Sequence, residues 1–309
     1  MDESRKRPCK IGVFLPLIEN QGVQGAASWR DLLAMTQRAE QLGFDSVWVP
    51  DHVLFRHPGE ETTGVWEAMS MLAALAAATS KIELGPLVLC AGFRNPALLA
   101  KMADTIDEIS GGRFILGLGA GWHKPEYDAF GYPFDHRYAR FEEALTIIHG
   151  LLHDGAIDFD GTYYQARDCE LRPRGPRPAG PPILIGTSGH KMLRLTAKYA
   201  DQWNVDWRNA AADVLPYLAD LDGACVEVGR DPKTMARTVG VEVDLPGNSG
   251  RGLKGKRTPP LSGTPEAMAA ALRAYADLGV SHLQLLFDPN TIEALEAFAP
   301  TLELLDNGK

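Results

Sequence analysis

Paired cysteine is the first thing missing from this 309-residue chain: Cys9, Cys90, Cys169 and Cys225 are scattered, with no CxxC spacing. That excludes a disulfide framework and points to a reducing, cytoplasmic setting. Long apolar runs are missing too. The most apolar helical stretch, residues 68–78, is alanine-rich and too short to span a bilayer. The charged start, MDESRKRPCK, lacks the apolar core of a signal peptide. Positive charge is in deficit, with a formal net charge of −9. Nucleic acid and anionic membrane are therefore not expected as partners. There is no HExxH, no Walker GxxxxGK[ST] and no HxH after the first strand-like run, so no metal site is expected. His149 and His153 have a zinc-like i, i+4 spacing, but Glu142 and Glu143 make that helix face polar, and the pair reads as solvated.

What is present is a rhythm. Apolar strand-like runs at 11–15, 46–49, 82–89, 113–118, 183–185, 202–205, 238–243 and 282–287 alternate with helical patterns. The helices fall at 29–42, 66–79, 96–110, 138–153, 190–199, 210–228, 266–278 and 291–305. Residues 84–131 show the unit most clearly. A strand meets Arg94-Asn95-Pro96, and a helix follows with Leu98, Leu99, Met102, Ile106 and Ile109 on one face. It stops at Gly111-Gly112, and a second buried strand runs into Gly119-Ala120-Gly121-Trp122. A βαβ unit implies a parallel sheet, and eight such units in one chain predict a (β/α)8 TIM barrel. No linker divides the chain, so residues 1–309 read as a single domain. Insertions fall at about 53–65, 119–136, 154–180 and 245–262. The third holds a hairpin near 158–164 and a proline-rich connector over 172–182. Thr264 followed by Pro265 is a helix start.

Barrel enzymes carry reactive groups at the C-terminal ends of their strands. Reading only those ends leaves few residues. The second strand ends at Asp51 and His52. His52 is the candidate for proton transfer because imidazole titrates near neutrality; the alternative is a locally bonded turn. Gly186-Thr187-Ser188-Gly189 follows a buried strand and opens a helix, so its N–H groups form a candidate anion nest, with Lys191 and Arg194 nearby. The alternative is an ordinary βα turn. Gly117-x-Gly119-x-Gly121 lacks the acidic residue of a dinucleotide fingerprint and reads as close backbone approach to a planar ring. Trp66, Trp122, Trp203, Trp207 and Phe93 line an apolar pocket unless they are core. Arg251, Lys254, Lys256 and Arg257 read as a solvated loop or, if folded over the barrel mouth, as a lid holding an acidic cofactor tail.

Taken together, FDSVWVPDH (44–52), FRNPALLAKMADTIDEISGGRFILGLGAGW (93–122), EYDAFGYPF (126–134), RFEEALTIIHGLL (140–152), FDGTYYQ (159–165), PPILIGTSG (181–189), LTAKYADQWN (195–204) and GTPEAMAAALRAYADLGV (263–280) carry a resemblance. The chain resembles the luciferase-like flavin and deazaflavin oxidoreductases, most closely the F420-dependent branch. That resemblance implies a barrel with insertions, usually a homodimer, acting on a small-molecule substrate. It implies a cofactor ring over Leu89, Cys90 and Ala91, with a non-proline cis peptide there. Gly119 and Gly121 would lie beneath the ring, its phosphate at Gly186, Thr187, Ser188 and Gly189 near Arg194. Asp51 and His52 would stand beside it, and Glu19, Trp66, Trp122 and Trp207 would line the substrate pocket. The cofactor implied is F420, with His52 exchanging the proton as hydride moves. One alternative is an FMN-dependent monooxygenase using O2 and a separate cofactor reductase; another is a flavin-binding protein without turnover. A sugar-phosphate dehydrogenase of the family has glutamate directly after the strand-four Gly-x-Gly, where this chain has Trp122. An acid would then have to come from Glu126 or Glu19, or be absent.

Overall fold

The computed structural model describes residues 7–21, 24–247 and 258–308. Nine parallel strands form its main sheet. They are β1 (Lys10–Phe14), β2 (Ser46–Val49), β3 (Glu83–Pro86), β4 (Leu89–Cys90), β5 (Leu116–Gly119), β6 (Ile183–Gly186), β7 (Gln202–Val205), β8 (Ala236–Asp244) and β9 (His282–Asp288). Their order is β3-β2-β1-β9-β8-β7-β6-β5-β4. β4 pairs with β5 through Leu89↔Leu118, and a parallel bridge Leu84↔Phe114 ties β3 to the approach of β5. The two ends of the sheet therefore meet, and the fold is the expected (β/α)8 barrel. What reads in sequence as one strand over 82–89 is split into β3 and β4. The break contains a cis peptide at Leu87–Val88, which corrects the expected position at Leu89–Ala91.

Helices alternate with the strands: α1 (Trp29–Leu42), α2 (Ala68–Ala78), α3 (Pro96–Ser110), α4 (Lys124–Phe130), α5 (Arg137–Asp154), α6 (His190–Tyr199), α7 (Leu215–Glu227), α8 (Pro265–Asp277) and α9 (Ile292–Asp306). Local chemistry sets their ends. Ser28 and Asp31 form a capping box on α1, which stops at Gly43 in the left-handed region. Asn95 accepts from Ala97 and Leu98 N–H at the start of α3, with Pro96 at its first position. Thr264 and Pro265 open α8 as expected. α4, inside the 119–136 insertion, was not expected and proves decisive for the site.

Alternate strand residues face the helices, where Val13, Val47, Val49, Leu84 and Leu116 join one continuous apolar core. Phe14, Trp48, Ile115 and Leu184 fill the barrel itself. Below them, Trp48 Nε1 donates to Ser46 Oγ, whose own proton is left for His282 Nε2, both at 2.7 Å. Burial there pulls the His282 imidazole down to about 3. The 53–65 insertion is a small antiparallel pair, Leu54–Phe55 with Thr63–Gly64, and Ile18 bridges to Val65 beside it. The 154–180 insertion carries a longer hairpin than expected, Ala156–Asp160 with Gln165–Glu170. Arg251, Lys254, Lys256 and Arg257 lie outside the described residues. Among the described residues no helix is long and apolar enough to cross a membrane.

Candidate active site

β2 delivers Asp51 and His52 to the barrel mouth, and the structure gives them different work. His52 Nδ1 lies 3.0 and 3.2 Å from the two carboxylate oxygens of Glu126. Glu126 sits in the first turn of α4, is 1% exposed, and also accepts from Val53 N–H at 3.0 Å. A carboxylate only accepts, so the proton belongs on His52 Nδ1, and Nε2 is left for exchange. Phe55 packs 4.2 Å from the His52 ring, and Trp122 meets it edge-on at 5.6 Å.

Asp51 is turned away from that chemistry. Its Oδ2 accepts from Cys90 N–H and from Arg94 Nη1, and its Oδ1 from Arg94 Nη2, all at 2.8 Å. At 3% exposure it is a clasp between the end of β2 and β4, with both oxygens committed. Arg94 reaches on to Glu67, the N-cap of α2. Burial opposes ionisation of Glu67, but bonds from Ser70, Arg94 and Met69 outweigh it and hold that carboxyl at about 2.

The floor of the mouth is glycine and valine. A Cβ on Gly119 would stand 2.7 Å from Val88 Cγ2, and one on Gly186 would stand 3.0 Å from Val88 Cγ1. Leu89, Cys90 and Ala91, expected under a ring, are buried beneath this surface. Val88 is the side chain at its centre, and as an ordinary apolar residue in a strand-like run it left no signal in the sequence. Cys90 Sγ lies 2.8 Å from Tyr127 Oη, which donates to Ala120 O. Burial pushes the Cys90 thiol up to about 12, so it is no nucleophile. Gly121 has φ +72°, and a Cβ there would fall 2.0 Å from Tyr127 Oη. The turn is therefore fixed, and it throws Trp122 outward, 61% exposed.

Gly186-Thr187-Ser188-Gly189 links β6 to α6. No side chain caps α6, so its first N–H groups are open, and nothing lies within 4 Å of a Cβ built on Gly189. Trp203 is buried behind this loop and donates to Thr187 O. Arg194 is exposed and faces Glu227 at 3.6 Å. Glu19 accepts from Gly64 N–H at 2.5 Å, which fastens the small antiparallel pair. Trp66 Nε1 donates to Ala27 O, and Trp207 packs edge-on to Phe14 inside the barrel. Phe93 belongs to a satellite cluster with Cys90 and Tyr127. His123 escaped the sequence reading. It is 4% exposed, accepts from Arg56 N–H through Nε2, and is lowered by burial.

The mouth of the parallel barrel thus gathers Val88 seated on two glycines, an uncapped helix start and a histidine held by a buried acid. The model of the luciferase-like monooxygenase family matches residues 9–244, and the chain belongs to that family. A pyrimidine monooxygenase, RutA, of Enterobacter cloacae is 34% identical over 241 residues, covering 72% of this chain and 64% of that protein. An F420-dependent glucose-6-phosphate dehydrogenase of Beutenbergia cavernae is 38% identical over 177 residues, covering 56% and 51%. The chain thus spans about half to two thirds of the length of these relatives. An F420-dependent secondary alcohol dehydrogenase in complex with an F420-acetone adduct shares the fold at TM-score 0.79 and 20% identity, covering 96% of this chain and 99% of that one. The protein is an enzyme of the luciferase-like class.

Proposed function

We propose that the chain is an F420-dependent oxidoreductase that transfers hydride between the deazaflavin and a small organic substrate. The observation that carries this reading is the His52–Glu126 pair. Its buried carboxylate, fixing Nδ1 and leaving Nε2 open, is an arrangement for moving one proton as a neighbouring centre gains or loses hydride. The site also fits such a cofactor. Val88, seated against Gly119 and Gly186, offers an apolar surface for a ring, and the uncapped start of α6 offers N–H groups to a phosphate. Ser188 and Thr187 would hold that phosphate, with Arg194 adding charge after leaving Glu227. A bound deazaflavin supplies or accepts the hydride. The chain's own groups do the rest. His52 Nε2 gives or takes the proton, Glu126 stabilises the imidazolium that results, and Asp51 holds the β2 and β4 ends in register through Arg94. Glu19 maintains the wall of the pocket, along which Trp66, Trp122 and Trp207 meet the substrate.

The similarity to a pyrimidine monooxygenase favours a second reading, an FMN-dependent monooxygenase using O2 with a separate cofactor reductase. Anaerobic titration of the apoprotein with F420 and with FMN separates the two. The proposal expects F420 to bind at least tenfold more tightly; tight FMN binding without F420 binding rejects it. A homodimer in a cytoplasmic setting completes the reading. Leu98 and Ile109, read in the sequence with Leu99, Met102 and Ile106 as one apolar face of α3, are exposed and support the first, and four free thiols support the second.

A further inference from the structure

We infer that Trp122 selects the substrate, and that it selects flat, uncharged, conjugated molecules. This rests on the hydride-transfer reading above and names the substrate class of that same site. Trp122 is 61% exposed, and leaving so large an apolar ring in water is unfavourable unless something covers it. It is nevertheless held in place. His52 and His123 meet its ring edge-on at 5.6 and 5.1 Å, and Phe55 lies tilted against it at 6.2 Å. Behind it, Arg137 Nη1 donates to Gly121 O at 2.6 Å, and Tyr127 blocks any other path for the Gly121 turn. The result is a fixed indole beside the proton-transfer imidazole, with much of its surface open to a ligand. A rigid aromatic platform of this kind favours a second flat ring.

Charge points the same way. Among the described residues, two cations near this wall are paired with carboxylates and two are hydrogen-bonded to neutral oxygens. Arg94 is bound to Asp51 and Glu67, Arg137 to the Gly121 carbonyl, Lys124 to Asp128, and Arg56 Nε to Thr62 Oγ1. Burial lowers the affinity of His123 for a proton, and Glu126 adds a carboxylate beside His52. A sugar phosphate would meet a wall where Arg94 and Lys124 are already paired with carboxylates, whereas an uncharged ring needs no cation. An α,β-unsaturated carbonyl fits. In its reduction, with His52 as the imidazolium paired to Glu126, one alkene carbon would take hydride from the reduced deazaflavin and the other the Nε2 proton, leaving neutral His52 with Nδ1–H on Glu126. The C=C bond becomes C–C, and the cofactor is oxidised by two electrons.

The test uses 2-cyclohexen-1-one and coumarin as probes, with glucose 6-phosphate as the anionic comparison. Wild type, Trp122→Ala, Trp122→Leu and Trp122→Phe are compared. Calorimetry gives the Kd of each probe for the apoprotein, and anaerobic turnover of reduced F420 gives KM and kcat. The inference expects Ala and Leu to raise Kd and KM by about tenfold while kcat stays within about threefold, Phe to stay near wild type, and F420 affinity to be unmoved. Glucose 6-phosphate should not be turned over. Unchanged Kd and KM in Trp122→Ala overturn it. So do failure of wild type to bind either probe, equal behaviour of Leu and Phe, and preference for glucose 6-phosphate. If wild type takes FMN and not F420, the function proposed above fails, yet the calorimetric Kd values still decide the role of Trp122.

Discussion

Replacing Glu126 by Gln changes almost no volume but removes the charge behind His52. The wild-type carboxylate accepts from Val53 N–H at 3.0 Å and from His52 Nδ1 at 3.0 Å, while 1% exposed. An amide has one acceptor oxygen for those two donors. With that oxygen where Oε2 stands it still reaches both, at 3.0 and 3.2 Å, but without charge; with the NH2 there, the imidazole switches tautomer, accepts at Nδ1 and places its proton on Nε2. Both outcomes remove a buried charge-assisted bond, about 1.5–3 kcal/mol. Expressed fully in the transition state, that is a rate loss of roughly ten- to 150-fold. The assay is anaerobic oxidation of reduced F420 at saturating acceptor. Glu126→Gln should lower kcat with little change in KM, and in a His52→Ala background it should cost little more, because Glu126 acts through His52. Activity within twofold of wild type would refute the reasoning. So would independent, multiplying effects of the two substitutions, since they would show that Glu126 does not act through His52.

Further expectations follow from the rest of the site. Asp51→Ala leaves the guanidinium of Arg94, 11% exposed, with only the half-exposed Glu67, and should destabilise by about 3–5 kcal/mol in urea titrations. A loss below ~1 kcal/mol would mean the clasp matters little. Gly121→Ala forces a side chain into the left-handed region against Tyr127 Oη, at a cost of about 1–3 kcal/mol, and an unchanged midpoint counts against the fixed turn. Acid should destabilise the fold through His282 and His123, whose folded-state affinities for protons are depressed. The unfolded chain therefore binds more protons as pH falls below about 6.5, and stability declines from there toward about 3. For His282 alone this is roughly 2 kcal/mol by pH 5, and His282→Asn should flatten that part of the urea-midpoint profile. Sedimentation should show a dimer that Leu98→Glu with Ile109→Glu weakens; an unaltered mass would place the interface elsewhere.

The barrel was legible because its signals are local and repeated. Strand periodicity, the Ser28, Asn95 and Thr264 caps and the Gly43 and Gly111 stops each specify an element without help from distant residues. His52 was legible because strand ends are where a barrel presents reactive groups. What escaped depends on contacts between residues far apart in sequence. Asp51 and His52 are adjacent, yet one faces Arg94 and the other Glu126, and nothing in the dipeptide says so. Glu126 entered the reading only as one of two possible acids, because α4 is a short insertion helix that brings it 74 positions back to His52. Val88 escaped because its role as the floor depends on its facing Gly119 and Gly186 across the sheet.

The central claim is that this barrel binds a deazaflavin and that His52 moves the proton accompanying hydride transfer. One measurement reaches it directly: anaerobic single-turnover oxidation of F420H2 bound to the purified protein by 2-cyclohexen-1-one, in wild type and His52→Ala. The account predicts that both proteins bind F420 equally, that wild type oxidises it in a substrate-dependent step, and that His52→Ala slows that step by at least about a hundredfold. Equal rates in the two proteins, or FMN binding in place of F420, would contradict it.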